Sequence, residues 1–357
     1  MIAMRILHLS DRLSDRGGAY QHLLGVIESQ VGQGHQVLLA VGRVEDGLAA
    51  PCEVRTVAGL DSRTGSDTTL DTLTSELRPD VVHLHTVVNP AVLRWAGRRE
   101  AVITVQDHRY FCPGRGKWTL AGDACRMAPA RDACAACFED ASYFEAIWEL
   151  TRERLEALRA MRVVVLSRYM RDELTAAGLD AARISVVPPF VRGLARASGT
   201  DGPGCVLFVG RLVAGKGPLE AAHAWRESGL DLPFVVAGAG PLRPELQRLG
   251  ANVVGWVDRA GLAALLARAR VLVMASRWQE PFGIAGLEAL ESGVPVAAWD
   301  SGGVREWHPG DGLAPWGDVP ALARAIREQA GRRAARPTGF DRESLMARLD
   351  AVYQAAS

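Results

Sequence analysis

The sequence has no excess of either charge, no long apolar run and no short-period repeat. Lysine plus arginine and aspartate plus glutamate each number 41, so no overall field attracts nucleic acid or an anionic membrane. No run reaches the roughly 18 apolar residues of a membrane-spanning helix, and Met1–Arg5 lacks the apolar core of a signal peptide. The arginines of the helical pattern over Glu139–Met161 are more typical of a solvated helix face than of membrane contact. We therefore predict a cytoplasmic protein with no nucleic-acid partner and at most peripheral membrane contact.

Short apolar runs alternate with amphipathic segments along most of the chain. With 48% apolar residues and 37 glycines, the composition is typical of an α/β enzyme. Such alternation predicts βαβ units and a parallel sheet covered by helices. Because 357 residues are too many for one ordinary core, we predict an α/β fold with two doubly wound, Rossmann-like domains. The predicted strands are Ile6–Leu9, Gln36–Val41, Val81–His85, Val102–Val105, Val163–Leu166, Val206–Val209, Phe234–Ala237, Val253–Val257, Val271–Ala275 and Val294–Ala298.

A change in composition near residue 192 marks the predicted domain boundary. Residues 1–192 form the first domain, and residues 193–203, rich in Gly, Ala, Arg and Ser, are typical of a linker. Residues 204–335 form the second domain, and residues 336–357 a C-terminal helix that could pack back on the first domain. In doubly wound sheets, ligands bind beyond the carboxyl ends of the strands. The loops that follow the strands are therefore where site residues are expected.

The stretch from Trp278 to Leu290 follows a predicted buried strand and then becomes helical. Pro281 disfavours helical backbone at Glu280, so the helix should begin near Phe282 or Gly283. Glu280 would then lie in the turn just before a helix N-terminus.

The first backbone amides of this helix, at Gly283 and Ile284, would carry partial positive charge that suits a phosphate. Glu280 and Glu288 flank that position and could hold hydroxyl groups on either side of a diphosphate. Two glutamates beside a solvated helix would give the same pattern.

Two cations follow the strand Val206–Val209. Arg211 offers a planar fork for two phosphate oxygens, and Lys216 a compact charge. Both could equally be solvent-facing cations in a glycine-rich loop. The sequence contains no Asp-x-Asp, so we expect no divalent metal and no cofactor in the reaction.

These residues are part of a set of motifs that resembles the retaining glycosyltransferases of family 4. The motifs are Gly17-Gly18, the run Gly210–Gly217, Glu280 followed by Pro281-Phe282-Gly283 and then Glu288, and the run Ser301–Glu306. The resemblance implies the glycosyltransferase B fold, in which two domains face each other across a cleft. It also implies a nucleotide-sugar donor held mostly by the second domain and an acceptor bound by the first.

The resemblance implies roles for individual residues. Glu280 would contact the donor sugar, and Glu288 the ribose of the nucleotide. Arg211 and Lys216 would neutralise the diphosphate as the sugar leaves. The full predicted donor site comprises Gly17, Gly18, Arg211, Lys216, Val254, Trp256, Glu280, Phe282, Gly283, Ile284 and Glu288, where Val254 and Trp256 lie on the strand that holds the nucleobase. Val254 and Trp256 could instead pack in the core.

The predicted reacting centre departs from the family pattern. In Thr104–His108, Gln106 occupies the position that is usually histidine, and His108 follows two residues later. Glutamine can donate a hydrogen bond to a sugar hydroxyl but cannot exchange a proton near neutral pH. We expect Gln106 to bind sugar, with His108 and Asp107 as alternative acceptor-side groups.

Four cysteines, Cys112, Cys125, Cys134 and Cys137, are concentrated in an insert over about residues 111–138. The close pair Cys134 and Cys137 suits one metal ion, and the insert has few apolar residues with which to build a core. We predict a structural zinc site of these four cysteines; an iron–sulfur cluster, free thiols or a disulfide are the alternatives.

The resemblance thus implies a retaining glycosyltransferase that transfers a hexose or N-acetylhexosamine, and by the habit of the family it makes UDP the favoured nucleotide and GDP-mannose the next donor. The acceptor is a hydroxyl of a glycan, a lipid-linked sugar or a natural product. The alternatives are a sugar-nucleotide epimerase or hydrolase, and a protein that binds nucleotide sugars without transferring them.

Overall fold

The computed structural model describes residues 3–62, 68–194 and 204–355. Contacts divide the chain into two compact units. Unit 1 comprises Met1–Gly116, Met127–Arg192 and Phe340–Ser357, and unit 2 comprises Lys117–Arg126 and Gly193–Gly339. The predicted linker, residues 193–203, lies mostly outside the described residues.

The described strands are short, and nearly all of them lie within or near predicted apolar runs. In chain order they are β1 Arg5–Ser10, β2 Gln36–Val41, β3 Glu53–Thr56, β4 Val81–Leu84, β5 Val102–Val105, β6 Arg162–Val165, β7 Ile184–Val186, β8 Cys205–Val209, β9 Phe234–Ala237, β10 Asn252–Gly255, β11 Ala269–Met274, β12 Val296–Trp299 and β13 Leu313–Ala314.

Helices connect most successive strands, as is usual for parallel pairing; β2 and β3 are joined by a loop, and β12 and β13 by a short 3₁₀ helix, Gly302–Glu306. In chain order they are α1 Gly18–Gly32, α2 Thr68–Leu77, α3 Pro90–Gly97, α4 Arg131–Ala135, α5 Ala141–Leu158, α6 Arg168–Ala176, α7 Pro218–Ser228, α8 Arg243–Arg248, α9 Arg259–Arg268, α10 Ile284–Glu291, α11 Val319–Gln329 and α12 Arg342–Gln354.

Each unit contains one parallel sheet among its described residues. The sheet of unit 1 has the order β3-β2-β1-β4-β5-β6-β7, and that of unit 2 the order β10-β9-β8-β11-β12-β13. The described pairs in both sheets are parallel. Every residue of β5 and of β9 is buried, as expected of strands covered by helices on both faces. The predicted α/β fold class with two doubly wound, Rossmann-like sheets is confirmed.

In each sheet, the first strand in the sequence has a neighbour on both sides. The chain first adds strands on one side of it and then crosses over to add strands on the other side. β1 lies between β2 and β4, and β8 lies between β9 and β11. In doubly wound sheets, this switch point is where ligands bind, at the carboxyl ends of the strands. The loops after β8 and β11 in unit 2 therefore begin side by side.

The last helix, α12, packs in unit 1. Leu345, Met346 and Leu349 are buried in one cluster with Ile6 of β1 and Val102 of β5. Asp341 caps the helix, because its carboxylate accepts from the amide of Ser344 at 2.8 Å. The C-terminal segment is thus held through its own apolar face.

Two structural details bear on the remaining predictions. Contacts group Lys117–Arg126 with unit 2, whereas the sequence assigned the whole insert to the first domain. No helix in the described parts of the chain combines the length and the apolar character needed to cross a bilayer.

Candidate active site

The predicted donor-site cations and carboxylate meet in unit 2. Lys216 ends a short 3₁₀ helix, Ala214–Lys216, in the loop after β8, and Glu280 lies in the loop after β11. β8 and β11 are paired neighbours, so their loops leave the same edge of the sheet. The Nζ atom of Lys216 lies 2.7 Å from Oε1 of Glu280.

Several hydrogen-bond donors contact the same carboxylate oxygen of Glu280, Oε1. Besides Lys216, the indole N–H of Trp278 donates to Oε1 at 3.0 Å, and the hydroxyl of Ser276 donates to the same atom. The backbone is fixed as well, because the amide of Glu280 donates to Oγ of Ser301 at 3.2 Å. Its carbonyl accepts from the amide of Gly303 at 2.7 Å. The motif beginning at Ser301 therefore holds Glu280 in place.

Burial and charge act in opposite directions on the pKa of Glu280. The residue is 3% exposed, and desolvation alone would raise its pKa. Lys216 and the hydrogen bonds from Ser276 and Trp278 outweigh desolvation, so the pKa of Glu280 lies below its ordinary value. The carboxylate is therefore charged at neutral pH.

The ring of Trp278 brings the two cations together. The guanidinium carbon of Arg211 lies 5.0 Å from the ring centroid, and Nζ of Lys216 lies 4.6 Å from it. The amides of Arg277 and Trp278 donate to the carbonyl of Gly215 at 3.0 and 3.2 Å. The loop after β8 is thus hydrogen-bonded to the loop that carries Glu280.

Gly217 allows these two loops to approach each other. Its φ of +64° is in the left-handed region, and a Cβ atom there would lie 1.6 Å from the carbonyl oxygen of Ala275. No side chain fits that space, which explains the glycine after Lys216.

The helix α10 begins at Ile284, close to the predicted position, with Gly283 as its N-cap at φ +88°. The side chain of Phe282 is 1% exposed, and its carbonyl accepts from the indole N–H of Trp307 at 2.6 Å. Phe282 therefore anchors the start of α10 by packing. The helix N-terminus itself provides amides for an anion.

Glu288 pairs with a residue that the sequence motifs did not indicate. Arg259, the first residue of α9, contacts Oε1 of Glu288 through a guanidinium nitrogen. Burial raises the pKa of Glu288, and Arg259 opposes that rise only in part. Nothing in the local sequence of Arg259 distinguishes it from other helix-start arginines.

Val254 and Trp256, predicted to face the nucleobase, lie at the end of β10 and just after it. Each is 42% exposed, so neither is a core residue. Trp299, at the end of β12, is only 3% exposed and is therefore a core residue. Its indole N–H donates to the carbonyl of Asp318 at 3.1 Å.

In unit 1, Gly17 and Gly18 start α1, with Gly17 as N-cap at φ +125°. Gln106 directly follows β5. Both polar atoms of its side-chain amide are buried and have no hydrogen-bond partner among the described residues. An unpaired buried amide is costly, so a partner from outside the described chain, a water molecule or a ligand, would stabilise it.

The two residues after Gln106 are engaged in other interactions. Asp107 binds the guanidinium of Arg109 at 2.7 and 2.9 Å; burial acts to raise the pKa of Asp107, but Arg109 holds it below its ordinary value. His108 is 7% exposed, and its Nε2 lies 3.1 Å from the hydroxyl of Tyr169. Both side chains thus have structural partners.

Three buried histidines form a group that the sequence motifs did not indicate. His8, His83 and His85 have ligand atoms within 4.8 Å of one another, the geometry of a candidate metal site. His8 faces His83 in the β1–β4 register, and His83 and His85 alternate along β4 and beyond it. This alternation was the signal available in the sequence.

The hydrogen bonds of this group define one neutral protonation pattern. Gln30 Oε1 can only accept, so His8 carries its proton on Nε2, 2.7 Å away. His8 Nδ1 then accepts from His85 Nε2 at 2.9 Å. The hydroxyl of Tyr353 accepts from Gln30 Nε2 at 3.0 Å and donates to His83 Nδ1 at 2.7 Å.

The set is therefore a hydrogen-bonded polar network as it stands, and a metal ion would have to displace the bond between His8 and His85. Burial lowers the pKa of His8 to about 4 and holds the pKa of His83 and of His85 well below the ordinary value. The network is neutral near pH 7.

The predicted cysteine ligands are half-buried. A Cβ atom placed on Gly114 would lie 3.8 Å from Sγ of Cys137 and 4.0 Å from Sγ of Cys112, so these two thiols lie near each other. The zinc site stays a prediction.

Two family models match the chain. "Glycosyltransferase Family 4" matches residues 16–192, and "Glycosyl transferases group 1" matches residues 203–330. The α-D-kanosaminyltransferase of Streptomyces kanamyceticus is 32% identical over 164 residues, which cover 43% of this chain and 40% of that enzyme. The chain spans about half the length of the curated relatives that it matches.

Solved structures share the fold over nearly the whole chain. Sucrose-phosphate synthase from Thermosynechococcus elongatus has a TM-score of 0.70 at 17% identity, covering 99% of this chain and 100% of that one. HepE of Anabaena, solved with UDP and glucose, has a TM-score of 0.67 at 17% identity with the same coverage. The two family models together match most of both sheets, so they support a family assignment that the shared fold alone would not. The chain belongs to the family 4 glycosyltransferases.

Proposed function

We propose that the protein is a retaining glycosyltransferase. It moves a hexose or an N-acetylhexosamine from a nucleoside diphosphate sugar, with UDP the favoured nucleotide, to a hydroxyl acceptor. The observation that carries this proposal is the cluster of Arg211, Lys216 and Glu280 around Trp278, at the carboxyl edge of the second sheet.

The cations suit the charge that develops when the sugar leaves. As the glycosidic bond to the diphosphate breaks, negative charge grows on the leaving phosphate oxygens and positive charge on the sugar. Lys216 is already paired with the Glu280 carboxylate, so the net positive charge comes mainly from Arg211, and the first amides of α10 add partial positive charge. We propose that these groups stabilise the leaving diphosphate without a divalent metal. Activity abolished by EDTA and restored by magnesium would contradict this.

Glu280 is arranged to contact the donor sugar. Lys216, Ser276 and Trp278 all donate to Oε1, and no donor among the described residues reaches Oε2. The second oxygen is therefore available to accept a hydrogen bond from a sugar hydroxyl. Its negative charge also favours the oxocarbenium-like sugar of the transition state.

The nucleoside would extend from the diphosphate toward α10 and β10. We propose that Glu288, buried inside α10, accepts hydrogen bonds from ribose hydroxyls while Arg259 contacts its Oε1 atom. Val254 and Trp256 offer half-exposed apolar surface to a base. Because HepE was solved with UDP and glucose, UDP is the first nucleotide to test.

The acceptor side is supported by Gln106. Its buried amide has both a donor and an acceptor without partners among the described residues, which suits a sugar hydroxyl. Because glutamine cannot exchange a proton, we propose that the leaving diphosphate takes the acceptor proton. The same residue favours a second candidate, a protein that binds nucleotide sugars without transferring them.

We also propose that Cys112, Cys125, Cys134 and Cys137 hold a structural zinc ion, with an iron–sulfur cluster as the alternative. The Cys112 and Cys137 thiols lie near each other, which supports coordination of one metal ion by both. Zinc bound by four thiolates would supply folding free energy to an insert that is poor in apolar residues.

The test of function is a thermal-shift panel followed by product analysis. A ligand that binds only the folded state raises Tm by mass action, so UDP, GDP and their sugars are compared first. The donor that binds is then incubated alone and with a set of hydroxyl acceptors. Acceptor-dependent transfer with retained anomeric configuration is expected. An epimerised or hydrolysed donor formed without acceptor would favour the epimerase or hydrolase, and tight binding with no turnover would favour the binding protein.

A further inference from the structure

Trp278 contacts three charged residues of the proposed site, Arg211, Lys216 and Glu280. Its indole N–H donates to Oε1 of Glu280 at 3.0 Å. Its ring lies 5.0 Å from the guanidinium carbon of Arg211 and 4.6 Å from Nζ of Lys216. One side chain thus touches the carboxylate through its edge and both cations through its ring.

The ring cannot easily move from this position. A Cβ atom on Gly215 would lie 3.0 Å from Cε3 of Trp278, so the ring packs directly against the loop after β8. The amides of Arg277 and Trp278 both donate to the carbonyl of Gly215. Glu280 is fixed on the other side through its backbone bonds to Ser301 and Gly303. The ring is therefore held between the two loops.

We infer that Trp278 is a positioning residue that sets two separate properties of the site. Its N–H fixes the orientation and charge of Glu280, and its face fixes Arg211 and Lys216 where the diphosphate binds. This inference rests on the proposed function, and it adds a residue that neither binds the sugar nor moves a proton.

The two contacts can be separated because different side chains preserve each of them. Trp278→Phe keeps an aromatic face for the cations but removes the N–H. Trp278→Gln keeps an N–H donor of similar reach but removes the ring. A residue that merely fills space would respond similarly to both changes.

For Trp278→Phe we expect kcat to fall while the Kd for UDP stays within about twofold of wild type, since the cation face remains. The hydrogen bond from Trp278 lowers the pKa of Glu280, so its loss moves the acid limb of the pH–rate profile to higher pH. For Trp278→Gln we expect the Kd for UDP to rise about 5- to 30-fold, the loss expected of two cation–π contacts, with the acid limb near its wild-type position.

The matched control is Trp225→Phe on α7. Its indole N–H also donates to an oxygen, the carbonyl of Leu232 at 2.8 Å, but the ring stacks on Phe234 in the apolar core of unit 2. Thermal unfolding of each variant confirms folding, and Trp278→Phe alone still tests the N–H role if the glutamine variant does not fold. A wild-type protein that binds no UDP would count against the proposed function. The wild-type protein could bind UDP and transfer sugar while both Trp278 variants change the Kd for UDP and the pH profile alike or not at all. That result would overturn this inference and leave the proposed function standing.

Discussion

Lys216 and Glu280 form a buried ion pair in which the lysine nitrogen lies 2.7 Å from a carboxylate oxygen. The glutamate side chain is 4% exposed and the lysine side chain 25%. The two residues are separated by 64 positions in sequence, yet they lie at neighbouring strand ends of one sheet. This pair links the loop that would bind phosphate to the loop that would bind sugar, and it can be tested in two independent ways.

The first prediction concerns turnover. Glu280→Gln removes the negative charge but keeps the shape, so we expect kcat to fall by about 100-fold or more, as when a charge-stabilising group is lost. The Kd for UDP should change little because the cations remain. Transfer assays with isothermal titration of UDP check this, with Glu227→Gln on the exposed face of α7 as control. Unchanged turnover in Glu280→Gln would show that the carboxylate is not part of the reaction.

The second prediction concerns stability and is independent of function. Lys216→Met leaves the buried Glu280 carboxylate without its cation, which should cost about 3–5 kcal/mol of unfolding free energy. The double variant Lys216→Met with Glu280→Gln removes both charges, so its unfolding free energy should fall less than that of the single lysine variant. Urea unfolding of the four proteins completes the double-mutant cycle. Additive effects of the two substitutions would mean that the pair contributes no coupling free energy.

The sequence predicted the sheets because buried parallel strands have a strong local signal. β2, β5 and β9 match their predicted ranges residue for residue, since each is a short run of apolar residues between breakers. The edge strands β3, β7 and β13 were missed. β3 is partly exposed and polar, β7 has three residues with a serine at its centre, and β13 has only two residues, so none of them shows an apolar run that could predict it.

The site was predicted to the extent that its residues belong to local motifs. Gly217, Glu280 and the start of α10 could be placed because turns and helix starts depend on near neighbours. The partner Arg259 of Glu288 could not, because pairing over 29 positions depends on where α9 packs. The double contact of Trp278 depends likewise on the approach of two loops, and no local pattern encodes that approach.

The third prediction separates binding from stability at Gln106. Its amide is buried without partners in the described chain, so Gln106→Leu should raise the unfolding free energy by about 1–2 kcal/mol. The same change should lower kcat/KM about 10-fold or more, because a sugar hydroxyl loses its hydrogen-bond partner. Thermal unfolding and transfer assays on one preparation check both values. A variant that is less stable and equally active would show that Gln106 is a structural residue.

The fourth prediction concerns the four cysteines of the insert. Protein purified without oxygen should contain about one zinc ion per chain, as expected of a tetrathiolate site, and Cys137→Ser should lose it together with part of the thermal stability. Cys52→Ser, which changes a cysteine outside the insert, is the matched control. Elemental analysis and absorption spectra distinguish zinc from iron–sulfur, and a protein that contains neither metal would remove the proposal.

The last prediction uses the buried histidines of unit 1. His22 is 8% exposed and its Nδ1 has no partner among the described residues; burial lowers its pKa from 6.5 to about 4. The unfolded chain therefore binds a proton between these values that the folded chain does not, so stability falls as pH falls from 6.5 toward 4.

His22→Leu removes this titration, and it should reduce the loss of unfolding free energy between pH 7.5 and pH 5 by about 2 kcal/mol. Tyr353→Phe affects the same region differently. It leaves His83 Nδ1 and Gln30 Nε2 without their shared hydroxyl, so it should cost about 1–3 kcal/mol with little change in the pH dependence. Tyr143→Phe, at a side chain that is 54% exposed, serves as the control. Urea unfolding at the two pH values distinguishes these cases, and a pH dependence that His22→Leu leaves unchanged would show that His22 already binds its proton in the folded protein near pH 6.5.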